Sequence, residues 1–500
     1  MISLRLGDSY CLIEPVVPDE VQKYLTYWHR DIVQDQQTFQ NVSTGSTKKL
    51  YTLKEEINQE GQLVQVLTTL PGFFTKLRDM MLELNYPVQI IDERKPRPKY
   101  DMDLAMKGLR PYQYECAYTA IWSGGGIIAC PTGWGKTYLM GAIIRAHSHE
   151  ELCARGTCKV VVITPGVDLA KKNYRDLVDF LPEREVGLVS GGVKKFSDDV
   201  QVVTPQSVER IDMEEAGIVI YDEVHTVSVK RADSIMRAPS ALRFGLSATP
   251  SGRFDNADKV INGIFGPVVY RRSYQEAIDD GAVVPIRVYW VNAPMPNNWH
   301  HYESHDGNYR NGVWRNTAFH TMVGAIWKSV SSEIQMLGMV DKLEHMDYLV
   351  PHVEGSDFVH AETNQKALDR KKLYNLPTVS QKQRTAIYGQ IESGEAKRIV
   401  STGIYRQGVS FPQLTVLLNL AGMKSEIIAG QLPGRTSRMA DNKEYGFIVD
   451  FWYPWDTHEK NDQQRSGPLL RDGMSREKVY RDLGFEQVWV DSIEELEFEA

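Results

Sequence analysis

The segment that most limits the fold of this chain is a glycine-rich turn at residues 130–137, which read CPTGWGKT. It lies between an apolar run at 126–129 and a helical pattern that begins near Tyr138. Gly133 and Gly135 allow the backbone to curl so that its N–H groups converge on a phosphate. A strand, a tight glycine turn and a helix in this order predict a phosphate-binding loop.

Two side chains of the turn support this prediction. Lys136 is long enough to reach the β- and γ-phosphates of a nucleotide, and the Thr137 hydroxyl can hold a magnesium ion. The general loop pattern begins with glycine, whereas this chain has Cys130, and a second family of such loops accepts a small residue there. The alternative interpretation is a strand-to-helix turn with an incidental lysine.

A pair of adjacent carboxylates favours the nucleotide interpretation. Residues 217–225 read GIVIYDEVH, an apolar strand that ends in Asp222 and Glu223. Magnesium-dependent ATPases need an aspartate at a strand tip to orient the hydrated ion and a glutamate to activate the attacking water. A strand-end Asp-Glu pair by itself is also typical of a solvated turn. Together with the loop, it predicts a catalytic site for ATP and Mg²⁺.

The distribution of apolar runs predicts an α/β fold. Near-continuous apolar strands that alternate with helical patterns are typical of a parallel sheet covered on both faces. One block of such runs occupies residues 126–246 and a second occupies 358–449. We therefore expect two parallel-sheet domains in tandem, preceded by a small α+β domain.

Changes in residue composition and in the pattern of apolar runs predict four regions along the chain. Residues 1–100 form the N-terminal domain and a charged, proline-interrupted linker, and 101–290 form the first parallel-sheet domain. Residues 291–455 form the second, with an aromatic-rich insertion at 297–321. Residues 456–500 form a C-terminal extension with an acidic tail.

Charge and composition exclude several classes of protein. The 500 residues carry a net charge of −8, but residues 456–500 hold 6 Lys and Arg against 12 Asp and Glu, so most of the acidity is local. No apolar run approaches the length of a membrane span, and residues 1–8 carry charges where a signal peptide has apolar residues. We therefore expect a cytoplasmic protein. The five cysteines form no CxxC pair, so neither a zinc site nor a disulfide framework is expected.

Three further motifs complete a known pattern. Residues 109–113 (LRPYQ), 247–250 (SATP) and 431–438 (QLPGRTSR) occur in the order and spacing of the motifs of superfamily 2 helicases. With the loop and the carboxylate pair, the resemblance spans residues 109–455. Within that superfamily, the chain is similar to the XPB group and to the branch-migration helicases of tailed phages.

The resemblance implies a role for each matching residue. It implies two RecA-like domains and an N-terminal domain that binds DNA. The groups that would bind ATP are Arg110, Tyr112 and Gln113 at the adenine, Pro131, Thr132, Gly133, Trp134, Gly135, Lys136 and Thr137 in the loop, and Gly408 and Gln431 on the far wall. Thr164, Pro165, Thr204, Ser247 and Thr249 would contact nucleic acid or couple it to hydrolysis. Arg435 and Arg438 would act as arginine fingers.

The expected activity is therefore an ATP-dependent DNA helicase or translocase that acts on branched DNA, as a monomer or weak oligomer. One alternative is an RNA helicase. A second alternative, from another class, is a nucleic-acid sensor that uses ATP as a clamp without unwinding. Which of DNA or RNA stimulates ATP turnover, and whether strands are displaced, distinguishes the three.

The segment 297–321 leaves two interpretations open. His300, His301 and His305 are close in sequence, but no carboxylate or cysteine follows at ligand spacing, so a polar loop is favoured over a metal site. The aromatic residues of the same segment, interleaved with Arg310 and Arg315, could stack on unpaired bases. The alternative is ordinary packing of an insertion.

Overall fold

Apolar, β-branched runs form the strands of two large parallel sheets, one in each of two units of the chain. The computed structural model describes all residues except 35–40, 58–60, 251–255, 303, 404–410, 423–432, 441–442, 461–462 and 499–500. It describes the backbone but not the side chains at 30–34, 41–44, 229–230, 433, 459–460 and 463–464. Unit 1 comprises residues 1–130 and 135–272, and unit 2 comprises 131–134 and 273–500.

The strands of unit 1 are β1 (Ile2–Leu6), β2 (Cys11–Glu14), β3 (Thr26–Gln34), β4 (Asn41–Lys49), β5 (Tyr51–Ile57), β6 (Leu63–Thr69), β7 (Val88–Asp92), β8 (Gly126–Ala129), β9 (Lys159–Ile163), β10 (Val186–Ser190), β11 (Val193–Lys195), β12 (Val200–Val203), β13 (Ala216–Asp222), β14 (Leu242–Ser247) and β15 (Val268–Arg271). Those of unit 2 are β16 (Ile286–Asn292), β17 (Gln335–Met339), β18 (Asp357–Val359), β19 (Arg398–Ser401), β20 (Leu414–Asn419), β21 (Gly446–Trp452), β22 (Thr457–Lys460), β23 (Gln463–Ser466) and β24 (Glu486–Val490).

The α-helices of unit 1 are α1 (Asp19–Tyr24), α2 (Phe74–Glu83), α3 (Met102–Ala105), α4 (Tyr114–Ser123), α5 (Lys136–Ala146), α6 (His149–Ala154), α7 (Val167–Phe180), α8 (Val229–Met236) and α9 (Asp258–Phe265). Those of unit 2 are α10 (Tyr274–Asp279), α11 (His305–Tyr309), α12 (Thr317–Ser329), α13 (Leu343–Leu349), α14 (Gln365–Arg370), α15 (Gln381–Ser393) and α16 (Pro468–Asp482). A π-helical turn, Arg310–Trp314, follows α11. Short 3₁₀ turns are Pro71–Phe73, Pro111–Gln113, Val208–Arg210, Val224–Thr226, Val350–His352, Pro433–Arg435 and Ile493–Glu495.

The N-terminal part of unit 1 has its own small sheet and core. Its strands lie in the order β5-β6-β2-β1-β7, and β3 and β4 form a separate hairpin. One face of the sheet packs on α2 through buried side chains such as Leu4, Ile13 and Leu77. The backbone of Gly72 lies against the carbonyl of Asn262 in α9, so closely that any side chain at 72 would collide with it.

The larger sheet of unit 1 determines where the candidate site lies. Its order is β11-β10-β12-β9-β13-β14-β8-β15, and every pair except β10–β11 is parallel. The strands β8, β13 and β14 are neighbours, so the turns after them meet at one edge of the sheet. In parallel sheets, ligands bind at this carboxyl edge.

Unit 2 contains a second sheet in the order β18-β19-β17-β20-β21-β16-β24, with parallel pairing throughout. The predicted fold class, two parallel-sheet α/β domains with a small α+β N-terminal part, is confirmed. Strand β16 lies in this sheet, so the sheet begins before the boundary predicted at residue 291. Strand β24 joins the same sheet, because its main chain pairs with β16.

No helix in the part of the chain that the structure describes combines the length and the apolar composition that crossing a membrane would require.

Candidate ATP site

The glycine-rich turn follows β8 and leads into α5, as its sequence predicts. Gly133 and Gly135 have φ angles of 93° and 96°, in the left-handed region that glycine adopts without strain. A side chain at 135 would also come within 2.4 Å of the Gln113 amide nitrogen. Both the backbone angle and this close approach therefore require glycine at 135. Lys136 begins the helix, so the helix N-terminus points towards the turn.

Gln113 connects the motif before α4 to the loop. Its amide oxygen accepts a hydrogen bond from the Arg110 backbone N–H at 3.0 Å, and its amide nitrogen donates to the Gly135 carbonyl at 3.3 Å. The side chain is 1% exposed. Arg110 also donates from its guanidinium to the Tyr112 hydroxyl at 3.0 Å. The three residues predicted at the adenine therefore form one hydrogen-bonded group beside the loop.

Lys136 and the two carboxylates lie together at the carboxyl edge of the sheet. The Lys136 ammonium is 3.6 Å from Glu223 Oε1 and 3.5 Å from the Cys130 carbonyl. Glu223 follows the last residue of β13 and has a φ of 51°, a left-handed conformation that is uncommon outside glycine. Backbone conformations of this kind cost free energy and cluster at functional sites. The geometry brings together the predicted phosphate-binding lysine and the predicted general base.

Asn173, which was not predicted, joins three parts of the site. It lies on α7 and is 1% exposed. Its amide nitrogen donates to Asp222 Oδ2 at 2.8 Å and to the Thr164 hydroxyl at 3.2 Å. Its amide oxygen accepts from the Thr137 hydroxyl at 3.5 Å. Asn173 therefore orients Thr137 and Asp222, the two predicted magnesium ligands, towards each other.

Burial changes the acidity of Asp222. The carboxyl is buried, and burial together with the negative charge of Glu223 raises its pKa to about 6, against the opposing influence of Lys136 and Asn173. A buried carboxylate with a second carboxylate beside it favours the approach of a cation. A carboxylate oxygen and a hydroxyl are also donors that Mg²⁺ prefers. The residues present therefore fit the metal ion that the sequence implies.

A second polar contact links the carboxylate turn to the strand beside it. His225 Nδ1 lies 2.9 Å from the Ser247 hydroxyl at the end of β14 and 3.5 Å from Glu223 Oε2. The same hydroxyl accepts from the Thr249 backbone N–H at 3.1 Å. Ser247 and His225 are both buried. The serine predicted to couple hydrolysis to nucleic acid is thus in contact with the turn that carries Glu223.

The comparisons with known proteins agree with this geometry. A family described as "Type III restriction enzyme, res subunit" matches residues 106–252, which contain the loop, Asn173 and both carboxylates. A DNA 3'-5' helicase XPB of Kineococcus radiotolerans is 28% identical over 44% of this chain and 40% of the relative, so the chain spans less than half of that protein. The ATP-dependent DNA helicase uvsW of Enterobacteria phage T4 is 21% identical over 75% of this chain and 76% of the relative.

Over these aligned segments, the chain is similar to proteins named as DNA helicases. A solved structure titled as the ATP-dependent Type ISP restriction-modification enzyme LlaBIII bound to DNA shares the fold, with a TM-score of 0.52 and 15% identity. That alignment covers 85% of this chain and 35% of the other. The predicted resemblance to the XPB group and to phage branch-migration helicases is confirmed.

The predicted strand-contact residues lie deeper than expected. Thr164 is 0% exposed, and its hydroxyl accepts from Asn173 while its backbone N–H donates to the Val203 carbonyl. The Thr204 hydroxyl donates to Ser207 at 3.1 Å. Both hydroxyls serve internal contacts, so we expect any phosphate contact of these loops, including the one at Pro165, to use other groups.

The predicted residues of unit 2 are only partly described. The guanidinium of Arg435 lies 5.4 Å from the centre of the Phe411 ring, and the residue is 6% exposed. Arg438 pairs with Val283 through an isolated antiparallel bridge. Gly408 and Gln431 lie outside the described residues. In the same unit, Pro131 and Thr132 precede Trp134, whose indole N–H donates to Asp280 at 3.0 Å.

The histidines of the segment 297–321 point to different partners. His301 Nε2 lies 3.0 Å from the Thr457 carbonyl, and His305 Nε2 lies 2.9 Å from Asp472. His300 belongs to no metal-ligand group among the residues the structure describes. Tyr309 and Trp314 are buried in the core of unit 2, which supports the packing interpretation for these two aromatic residues.

Arg310 and Arg315 both form ion pairs with Glu344, at 3.0 and 2.6 Å. Their charges therefore serve contacts within unit 2.

The cysteine prediction needs one correction. Cys11, Cys116 and Cys130 are buried free thiols, but Cys153 and Cys158 are joined as a disulfide. The turn between α6 and β9 brings these two residues together, which their spacing alone does not reveal.

Proposed function

We propose that this protein is an ATP-dependent DNA translocase that remodels branched DNA, such as Holliday junctions, forks, D-loops or R-loops. The observation that carries the proposal is the buried group around Asn173. It joins two candidate Mg²⁺ ligands to the loop at Thr164, which follows β9 and is expected near nucleic acid. The relatives named as DNA helicases support DNA as the track.

Each residue of the site in unit 1 would have a separate role in ATP hydrolysis. Lys136 would bind the β- and γ-phosphates, and the N–H groups of the glycine-rich turn would enclose them. Thr137 and Asp222 would hold Mg²⁺, which supplies positive charge at the phosphates. Glu223 would orient the attacking water and accept its proton. The separation of 3.6 Å between the Lys136 ammonium and the Glu223 carboxylate supports these two roles, because both groups would then lie beside the transferred phosphate.

The arginines of unit 2 complete the proposal. Arg435 and Arg438 would stabilise the negative charge of the transition state, as arginine fingers do in this class of enzyme. Because both fingers come from the chain itself, we propose action as a monomer or weak oligomer. The N-terminal domain would bind DNA.

The first experiment compares Lys136→Ala with the wild-type protein. We expect the variant to lose ATP hydrolysis by a factor of roughly 10² or more while it keeps measurable DNA binding. Lys171→Ala, an exposed lysine on α7, is the matched control and should hydrolyse ATP at the wild-type rate. Robust hydrolysis by Lys136→Ala would overturn the assignment.

The substrate is tested separately with the wild-type protein. ATPase rate and strand displacement are measured on single-stranded DNA, forks, Holliday junctions and RNA. Stimulation by branched DNA together with strand displacement is the expected result. Stimulation by RNA alone would identify an RNA helicase, and slow turnover without displacement would identify an ATP-dependent clamp.

A further inference from the structure

A group of soft donor atoms lies on unit 1, at the turn between α6 and β9. His149, Cys153 and Cys158 are each half-buried, and one donor atom from each lies within 4.8 Å of the others. The group precedes β9, whereas Asp222 and Thr164 lie at the carboxyl ends of strands. We propose that the reduced chain binds one Zn²⁺-type cation here, through the two thiolates and the imidazole.

The backbone places two of the ligands on one face of a helix. His149 and Cys153 are four residues apart on α6, a spacing that brings side chains together, and His149 Nε2 lies 3.5 Å from Cys153 Sγ. The helix begins at a defined position because the Ser148 hydroxyl accepts from the Glu151 N–H at 3.1 Å.

The third ligand is brought back by a hydrogen-bonded turn. Gly156 has a φ of 74°, which reverses the chain after the helix. Its N–H donates to the Cys153 carbonyl at 2.8 Å, and the Thr157 N–H donates to the Leu152 carbonyl at 3.1 Å. Cys158 then precedes the first residue of β9. These contacts are all main-chain bonds, so they hold the site whether or not the sulfurs are joined.

The donor set determines which cation fits. Two thiolates and one imidazole are ligands that Zn²⁺ prefers over Mg²⁺ or Ca²⁺. Two thiolates also balance the charge of a divalent cation. Zn²⁺ is usually four-coordinate, and the partial exposure of the three residues leaves room for water as the fourth ligand.

The disulfide and the metal site are alternative states of the same two sulfurs. A phosphine and one water reduce the S–S bond to two thiols, and the phosphine becomes its oxide. Zn²⁺ then displaces two protons from the thiols as the Zn–S bonds form. The position of the site predicts a structural role, in which the cation ties α6 to the start of β9.

The experiment uses the full-length protein in a phosphine reductant, with Co²⁺ as a spectroscopic probe and Zn²⁺ measured by competition with a coloured chelator. We expect one equivalent of Co²⁺ to give a thiolate-to-cobalt absorption band, and Zn²⁺ to abolish that band. Cys153→Ser and Cys158→Ser should lose the band, and His149→Gln should weaken Zn²⁺ binding about tenfold or more. His300→Gln, which changes a histidine elsewhere, should bind as the wild type does.

Two further arms keep the test decisive if a variant folds poorly. Alkylation of the reduced wild-type protein should block binding, because the other three cysteines are buried. The unreduced protein should not give the band. A reduced wild-type protein without the band, or a Cys153→Ser/Cys158→Ser double variant that still binds one equivalent, would overturn the proposal.

Discussion

Each of the two sheets carries a buried aspartate near the carboxyl end of a central strand, and the two aspartates have opposite surroundings. Asp222 ends β13 in unit 1, and Asp450 lies in β21 in unit 2. They are 4% and 0% exposed. A buried carboxylate is costly unless it is paired and hydrogen-bonded. The two aspartates differ in how the surrounding groups compensate this cost.

Asp450 is compensated by the protein itself. The Arg476 guanidinium donates to both of its oxygens, at 2.9 to 3.2 Å, and Tyr480 and Asn419 donate at 2.8 and 2.9 Å. The Phe451 backbone N–H donates at 2.7 Å. A full cation and several donors satisfy this carboxylate, so it ties α16 to the sheet.

Asp222 receives much weaker compensation. The Asn173 amide and the Glu223 backbone N–H, which donate hydrogen bonds to it, are neutral groups, and the Glu223 carboxylate beside it repels its charge. Burial and the negative charge of Glu223 together raise the pKa of Asp222, against the opposing influence of Lys136. Asp222, which receives less positive charge from the protein, is therefore the aspartate that fits a metal ion.

The largest expected effect tests the catalytic side of this comparison. Glu223→Gln keeps the shape of the side chain but removes the proton acceptor, so ATP hydrolysis should fall by roughly 10²- to 10⁴-fold. Steady-state ATPase assays measure the change, with the exposed Glu354→Gln as control. A Glu223→Gln protein with wild-type turnover would remove Glu223 from the mechanism.

The next effect tests the structural side. Arg476→Met leaves Asp450 buried without its cation and should lower the free energy of unfolding by about 3 to 5 kcal/mol, measured by urea titration. The double variant Asp450→Asn/Arg476→Met should recover part of that loss. If Arg476→Met and the wild-type protein have the same urea midpoint of unfolding, Arg476 does not stabilise the buried Asp450 as described.

A smaller effect is expected at the connecting amide. Asn173→Ala removes hydrogen bonds to Asp222, Thr137 and Thr164. We expect the loss of these hydrogen bonds to cost about 1 to 3 kcal/mol of free energy at the Mg²⁺ site. We expect the Mg²⁺ concentration for half-maximal ATPase to rise about tenfold, which 1.4 kcal/mol corresponds to. Lys171→Ala, an exposed residue on the same helix, is the control. An unchanged Mg²⁺ requirement would assign Asn173 to packing alone.

The smallest effect follows from the acidity of Asp222. Its folded pKa is about 6 and its ordinary value is 3.8, so between these values the folded chain holds a proton that the unfolded chain releases. Stability should therefore fall as pH rises through this window, and Asp222→Asn should be the more stable protein at pH 7 to 8. Thermal unfolding of both proteins across pH checks the sign. Equal pH profiles would show that Asp222 is not perturbed.

The motifs were predictable because each is local. The glycine turn and the pair Asp222–Glu223 directly follow apolar strands, so residue types in one short stretch specify both the conformation and the chemistry. The fold class was predictable for the same reason, since the alternation of apolar strands and helices is visible along the chain.

Asn173 was missed because its partners are distant in sequence, 9 residues away at Thr164 and 49 at Asp222. One signal was available: Asn173 lies with Ala170 and Leu177 on the buried stripe of α7, where a polar side chain needs a partner. The group of His149, Cys153 and Cys158 was not predicted, because the prediction rested on the spacing of the cysteines and His149 lies upstream of both.

The amino-acid sequence alone determines the phosphate-binding loop, the strand-end carboxylates and the alternation that makes two parallel sheets, since these depend on neighbours along the chain. Only the tertiary structure decides which aspartate is satisfied. Arg476 meets Asp450 across 26 residues, and Asn173 meets Asp222 across 49. Such pairings depend on which helix covers which strand, and that follows from packing of the whole domain rather than from any local pattern.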